Sequence, residues 1–154
     1  MSVESNMDAF KRENFEKLHA GTPFPSVQSL SERECERTRE QIAVRLGGSP
    51  TDTGSQVVRQ IAEESEPVVG VDAQAGDFDL LQLVDGLQLD HSQHALLNWG
   101  QFEEVDRVDL RELARFFSDF WYPGSDDLDI IDHSYRWVLS VRHDGVVSVL
   151  RFMS

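Results

Sequence analysis

Cysteine, long apolar runs and mid-chain basic residues are what this 154-residue sequence has least of. Cys35 stands alone. That excludes an internal disulfide and makes a reducing compartment the simplest setting. No apolar stretch approaches the roughly 18 residues of a membrane-spanning helix. Met1 to Asn6 carries neither a basic cluster nor an apolar run, so no secretory leader is visible and a cytoplasmic location is expected. Between Glu63 and Asp132 only Arg107, Arg111 and Arg115 oppose 18 carboxylates. That block carries −15, against −1 before it and +2 after it. Such an imbalance repels nucleic acid and anionic membrane and attracts basic proteins.

Motifs of catalysis are missing too. Gly47-Gly48 closes a helical stretch instead of opening one, and no G-K-[ST] follows it, so there is no phosphate loop. No serine has a G-x-S-x-G setting, and Cys35 falls on an apolar helix stripe. His91 and His94 form H-x-x-H, which on a helix would turn two nitrogens toward a zinc ion. No third ligand is indicated nearby, and chance spacing is the simpler reading. Asp127 to Asp132 lacks the Gly and the final Glu of an EF-hand loop. His133 and His143 flank strand ends beside Asp132 and Asp144, as turn residues or as general bases. The sequence implies no cofactor, no metal and no catalytic residue.

What is present suits a folded core: 40% apolar residues, nine Phe and three Trp. Residues 1 to 20 read as a short helix with Met7, Phe10, Phe15 and Leu18 on its apolar stripe. Pro23 and Pro25 make 22–28 a loop or extended linker. Ser31 and Glu34 form a capping box for a helix burying Cys35, Thr38, Ile42 and Leu46. Thr51, Asp52 and Thr53 offer caps for a helix over 54–65 with Val57, Val58 and Ile61 inside. A short strand is expected at Val68 to Val71, a helix around Leu80, Leu81, Val84 and Leu87, and a strand at Ala95 to Trp99. Leu110, Leu113, Ala114, Phe117, Phe120 and Trp121 follow helical spacing, so one helix is expected over 109–121. Leu128 to Asp132 reads as a strand. Asp144-Gly145 signals a two-residue type I′ turn, pairing Trp137 with Phe152 and Leu139 with Leu150. That register puts all four on one face.

The fold expected is α+β: N-terminal helices, then an antiparallel β-sheet packed by the 109–121 helix. One domain is expected over 1–154, mainly helical over 1–66 and α+β over 67–154, ending in a β-meander.

The most unusual segment, Trp121 to Asp132, combines aromatics with carboxylates. As a presented patch it suits a partner rich in Arg and Lys. The ordinary alternative is a turn followed by an edge strand kept soluble by its acids, with Trp121 in the core. The same region carries a W-Y-P-x-S-D-D-x-x-I-x-D pattern (Trp121, Tyr122, Pro123, Ser125, Asp126, Asp127, Ile130, Asp132). W-x-L-x-x-x-H-D-G follows at Trp137, Leu139, His143, Asp144 and Gly145. Over this third of the chain the sequence resembles small acidic bacterial immunity proteins, which guard a cell against toxins.

The resemblance implies a non-enzymatic binder that fills the positive cleft of a basic toxin domain, such as a nuclease. The resemblance assigns no site; the acidic block makes Glu103, Glu104, Asp106, Asp126, Asp127, Asp129 and Asp132 the expected contact residues, with Tyr122 as an aromatic anchor, and its charge leaves no nucleic acid or membrane expected as a partner. The alternative is a small enzyme or ligand-binding domain. Its pocket would lie between the 109–121 helix and the sheet, with His133, His143, Asp132 and Tyr135 as polar groups. A subunit self-associating through apolar residues around Phe116 is a third reading. A monomer or homodimer is expected.

Overall fold

A computed structural model describes residues 9–152 and the backbone of 3–4. Met7 of the expected first stripe lies outside these residues. Among the described residues eight strands form one antiparallel sheet, β1 (Val3–Glu4), β2 (Val27–Ser29), β3 (Glu66–Asp72), β4 (His94–Asn98), β5 (Val105–Asp109), β6 (Leu128–Asp132), β7 (Trp137–Val141) and β8 (Val146–Arg151). Their spatial order is β1-β2-β5-β4-β6-β7-β8-β3. The helices are α1 (Ala9–Leu18), α2 (Glu32–Arg45), α3 (Gly54–Glu64), α4 (Leu80–Gly86), α5 (Leu110–Arg115) and α6 (Phe117–Phe120). The α+β class expected from the sequence is the one found, with β6-β7-β8 as the meander.

Helices cover both faces of the sheet. Leu97, Ile130, Leu139 and Val149 pair in one row and join the core under α1, α4, α5 and α6. Their chain neighbours Leu96, Ile131, Val138 and Leu150 pair in the next row and meet α2 and α3. Two cores flank one sheet, which is why β6 and β7 are buried at every position. Polar-apolar alternation marks a half-buried strand and fades when both faces are dry.

Local chemistry explains the helix starts. Both sides of the capping box form at Ser31–Glu34, 3.2 and 2.9 Å. Thr53 and Gln56 repeat the arrangement for α3. Asp79 caps α4, and Asp109 accepts from the Arg111 and Glu112 amides to start α5.

Several expectations are corrected. The 109–121 helix is two short helices, because Phe116 leaves helical geometry at φ −115°, ψ 32°. The break turns Phe116 inward as well as Phe117. Phe116 meets Phe15 edge-on at 5.0 Å, and Phe117 stacks on Trp121 at 5.8 Å. An unbroken helix would leave Phe116 off the buried stripe.

The C-terminal hairpin also differs. Its loop has three residues, His143 to Gly145, closed by Gly145 N–H to Arg142 O at 2.8 Å and Arg142 N–H to Val146 O at 3.0 Å. Gly145 takes φ +90°, the left-handed end of a three-residue hairpin loop. The register therefore moves by one: Trp137 pairs with Arg151 and Leu139 with Val149. Trp137 and Leu139 face the α5 side, while Leu150 and Phe152 face the α2 side. Because both faces are apolar, the residue pattern had not distinguished the two registers.

The segment after Asp127 is no edge strand: β6 lies between β4 and β7. Part of the expected 22–28 linker is β2, paired with β5. In α1 only Lys11 and Phe15 are buried, while Phe10 and Leu18 are exposed.

Candidate functional site

The eight contact residues expected from the sequence divide between interior and surface. Asp106, Asp129 and Asp132 are buried and spent on internal bonds. Asp106 accepts from the Trp99 indole and the Ser29 hydroxyl, both at 3.0 Å. Asp132 accepts from Ser92 N–H and Arg136 Nε at 2.9 Å each, closing the connection to β7. Asp126 is tied to Lys11 at 2.8 Å and to the Tyr122 amide at 2.9 Å. Tyr122 is half-buried, its hydroxyl 3.1 Å from Asn14 Nδ2. Glu103, Glu104 and Asp127 remain exposed. The presented patch, one of the two readings of Trp121 to Asp132, is not formed: Trp121 is in the core, Asp126 pairs with Lys11, and β6 buries Asp129 and Asp132.

Asp129 is the most enclosed of these acids. It takes a 2.7 Å bond from the Ser140 hydroxyl, a 3.4 Å bond from Asn98 Nδ2 and a 3.6 Å ion pair with Arg142. Burial raises its carboxyl above the usual range despite these partners. Asn98 also organises the loop beyond β4. Its Oδ1 accepts from Gly100 N–H at 3.3 Å and Phe102 N–H at 3.0 Å, and its Nδ2 donates to Gly100 O at 3.1 Å. Phe102 is thereby held at φ +68°, with its ring in the α2–α3 core. Glu103 and Glu104 are left on the outside of a fixed loop. The sequence reading missed this role of Asn98; an amide ending the apolar run Ala95 to Leu97, two residues before Gly100, was the available signal.

Lys11 is the other residue missed. It is buried, and its Nζ donates to Phe120 O at 2.6 Å and to Asp126. The ammonium lies 4.2 Å from the Trp99 ring centre and 5.1 Å from that of Tyr122. Acids and aromatics around this segment do bind a cation, and the cation is the chain's own.

The surface acids follow the topology. The registers Asn98↔Val105, Asn98↔Asp129, Leu128↔Val141 and Val141↔Val147, with Asp72 paired to Val146, bring four connections to one end of the sheet. From β5 to β3 that end spans five strand spacings, roughly 24 Å. Exposed along it are Glu103 and Glu104, then Asp127, Asp144 and Asp72. Asp127 binds the His143 amide at 2.8 Å and its ring at 3.0 Å. Burial opposes ionisation there, but the His143 bonds and nearby Arg142 outweigh it and hold the carboxyl low.

No family model, curated protein or solved structure matches this chain.

Beyond Asp72 the rim runs into a groove of about 400 Å³ between the bulged end of β3 and α4. Val71, Phe78, Leu83 and Leu87 give it apolar walls, and Asp72, Asp77 and Asp79 stand around it. None of the acids from Glu63 to Asp90 forms an ion pair with another described residue. Arg151 approaches one side, donating to Leu87 O at 2.9 Å.

The other candidate groups stay apart. The space between the α5–α6 segment and the sheet is filled by Leu110, Leu113, Phe117, Phe120 and Trp121. Asp132 and His133 lie at one end of β6, while His143 is bonded at the other. His91 is in a loop and His94 begins β4, so H-x-x-H shares no helix face. The His94 and His133 ring centres are 6.3 Å apart. Burial first, then Arg107 and His94, keep His133 below its ordinary value. Burial also raises the Cys35 thiol, against a lowering bond from the Val105 backbone, which disfavours the nucleophilic thiolate. Among the described residues, no group of three or more His, Cys, Asp or Glu is placed to hold a metal ion. No described helix is long and apolar enough to cross a membrane. Phe116 is covered by α1 through Phe15 and His19, so its ring is not a free self-association surface.

Proposed function

We propose that this chain is a non-enzymatic acidic protein-binding module, an immunity protein that neutralises a basic toxin domain in the cytoplasm. Nuclease toxins, whose clefts attract phosphate, are the first class to test. The carrying observation is the rim of exposed carboxylates at one sheet end, Glu103, Glu104, Asp127, Asp144 and Asp72. Most of the acids expected at the interface are instead satisfied internally, so the binding set shifts toward residues before and after them.

Exposed ion pairs contribute about 0–1 kcal/mol each. Charge would therefore govern encounter rate and salt sensitivity, while a few desolvated contacts would govern lifetime. The Asn98-anchored loop supports this reading, because Glu103 and Glu104 need no ordering when a partner arrives.

The test is co-expression with a basic toxin domain, followed by association kinetics at low and high salt. Neutralisation and a salt-sensitive association rate are expected. Reversal of Glu103, Glu104 and Asp127 to Lys should slow association by about tenfold or more. Persistent toxicity without a complex at low salt rejects the toxin partner, and an unchanged rate in the triple variant removes these three residues from the interface.

A further inference from the structure

The groove between β3 and α4 has a different character from the rim: its walls are apolar, and carboxylates surround them. β3 is the last strand of the sheet, and its register shifts between Pro67 and Asp72. Gly70 adopts φ +80° in that bulge, and Val69, its neighbour in the chain, is 95% exposed. A bulge and a proline discourage a partner strand from extending the sheet. An apolar side chain held fully in water beside a concave apolar wall is suited to a partner's side chains.

We infer that this groove is the anchoring site for a protein partner, taking an aliphatic or aromatic side chain flanked by Arg or Lys. The inference rests on the binding-module reading and adds a place and a recognition rule to it. Phe78, Leu83 and Leu87 receive the apolar residue, and Val69 packs against its flank. Asp72, Asp77 and Asp79 face the partner's cations. Charge complementarity selects this occupant: three carboxylates line the groove, against the single guanidinium of Arg151 at its Leu87 side. Nucleic acid is repelled by the same charge. A bare polycation has nothing to place against the apolar walls.

The test uses the intact chain and a labelled peptide with one central Phe between paired arginines, read by fluorescence anisotropy at low salt. The same peptide with Gly for Phe keeps the charge and should bind about tenfold more weakly or worse. Gly86 lines the groove, and a Cβ added there meets nothing within 4 Å. Gly86→Trp should therefore fold and occupy the groove, reducing binding of the Phe peptide to the level of the Gly peptide. Asp77 lines the groove without a hydrogen bond or ion pair to another described residue and serves for charge: Asp77→Lys should weaken both peptides.

Equal binding of the two peptides, or unaltered binding by Gly86→Trp, overturns the inference. Equally tight capture of a long-chain quaternary ammonium also overturns it, because the site would then serve small amphiphiles. If a toxin domain is neutralised by Gly86→Trp but not by the rim triple variant, the groove assignment fails and the binding-module reading stands. If neither variant changes a complex that forms, the groove assignment fails and the three rim residues lie outside the interface, while the binding-module reading stands.

Discussion

Asp126→Asn tests whether Lys11 is held in place by charge or only by shape. The Lys11 side chain is 7% exposed and that of Asp126 is 19% exposed. The substitution leaves a buried ammonium with the Phe120 carbonyl and two aromatic faces but no counter-charge. Removing one partner of a buried pair costs about 3–5 kcal/mol. Water reaching Asp126 softens this, so a loss of about 2–3 kcal/mol is expected. Lys11→Met removes the ammonium while keeping an apolar stem against Trp99, and should cost about 1–2 kcal/mol. The double variant has no stranded charge. It should recover about 1.5–2 kcal/mol relative to the sum of the single changes. Urea unfolding of the four proteins, with slopes compared before midpoints are converted, reads the cycle. If the two losses add within about 0.5 kcal/mol, the pair is not coupled and the electrostatic account of α1 docking is wrong.

Other expected outcomes follow from single contacts. Asp129 has a raised folded-state value, so the unfolded chain ionises first as pH rises; wild-type stability then falls between the ordinary Asp value and the raised one. Asp129→Asn should lose this component, and its stability relative to wild type should improve as pH rises through and above the ordinary Asp range; parallel pH curves from chemical unfolding would refute it. Gly145→Ala forces a side chain into φ +90° and toward the Asp72 carboxylate, for a loss of about 1–2 kcal/mol or more in thermal or urea unfolding. Asn98→Ala strands the Phe102 and Gly100 amides and should cost about 2–3 kcal/mol. It should also speed amide exchange in the 100–104 loop while leaving α4 unchanged; uniform acceleration across the chain would contradict a local anchor.

Local signals proved legible where local chemistry decides the outcome. Ser31 with Glu34 marks a helix start through bonds spanning three residues, and Thr53 caps the next helix as one of the three candidates Thr51, Asp52 and Thr53. The same holds for Asp109, although the helix it opens breaks at Phe116 because two adjacent Phe rings both find apolar surroundings. What was not legible depended on which face was wet. With helices on both sides, β6 could not be read as central, and the hairpin could not be placed in register from hydrophobicity alone. The acidic block was visible as composition. Its partition was not, since Asp129 and Asp132 differ from Asp127 only by the depth their strand positions impose.

The order of strands also has a cost for assembly. Val27 waits for Val108 and Glu66 for Val149, so strands synthesised early are completed by segments made late. Loop-closure entropy slows such pairings. Until β8 emerges, the β3 segment has only water for its backbone groups, and a nascent chain stalled before Val146 would leave that strand without its neighbour. Fragments cut near residue 66 should accordingly behave poorly alone yet reassociate when mixed, because each carries half of a seam that the other closes.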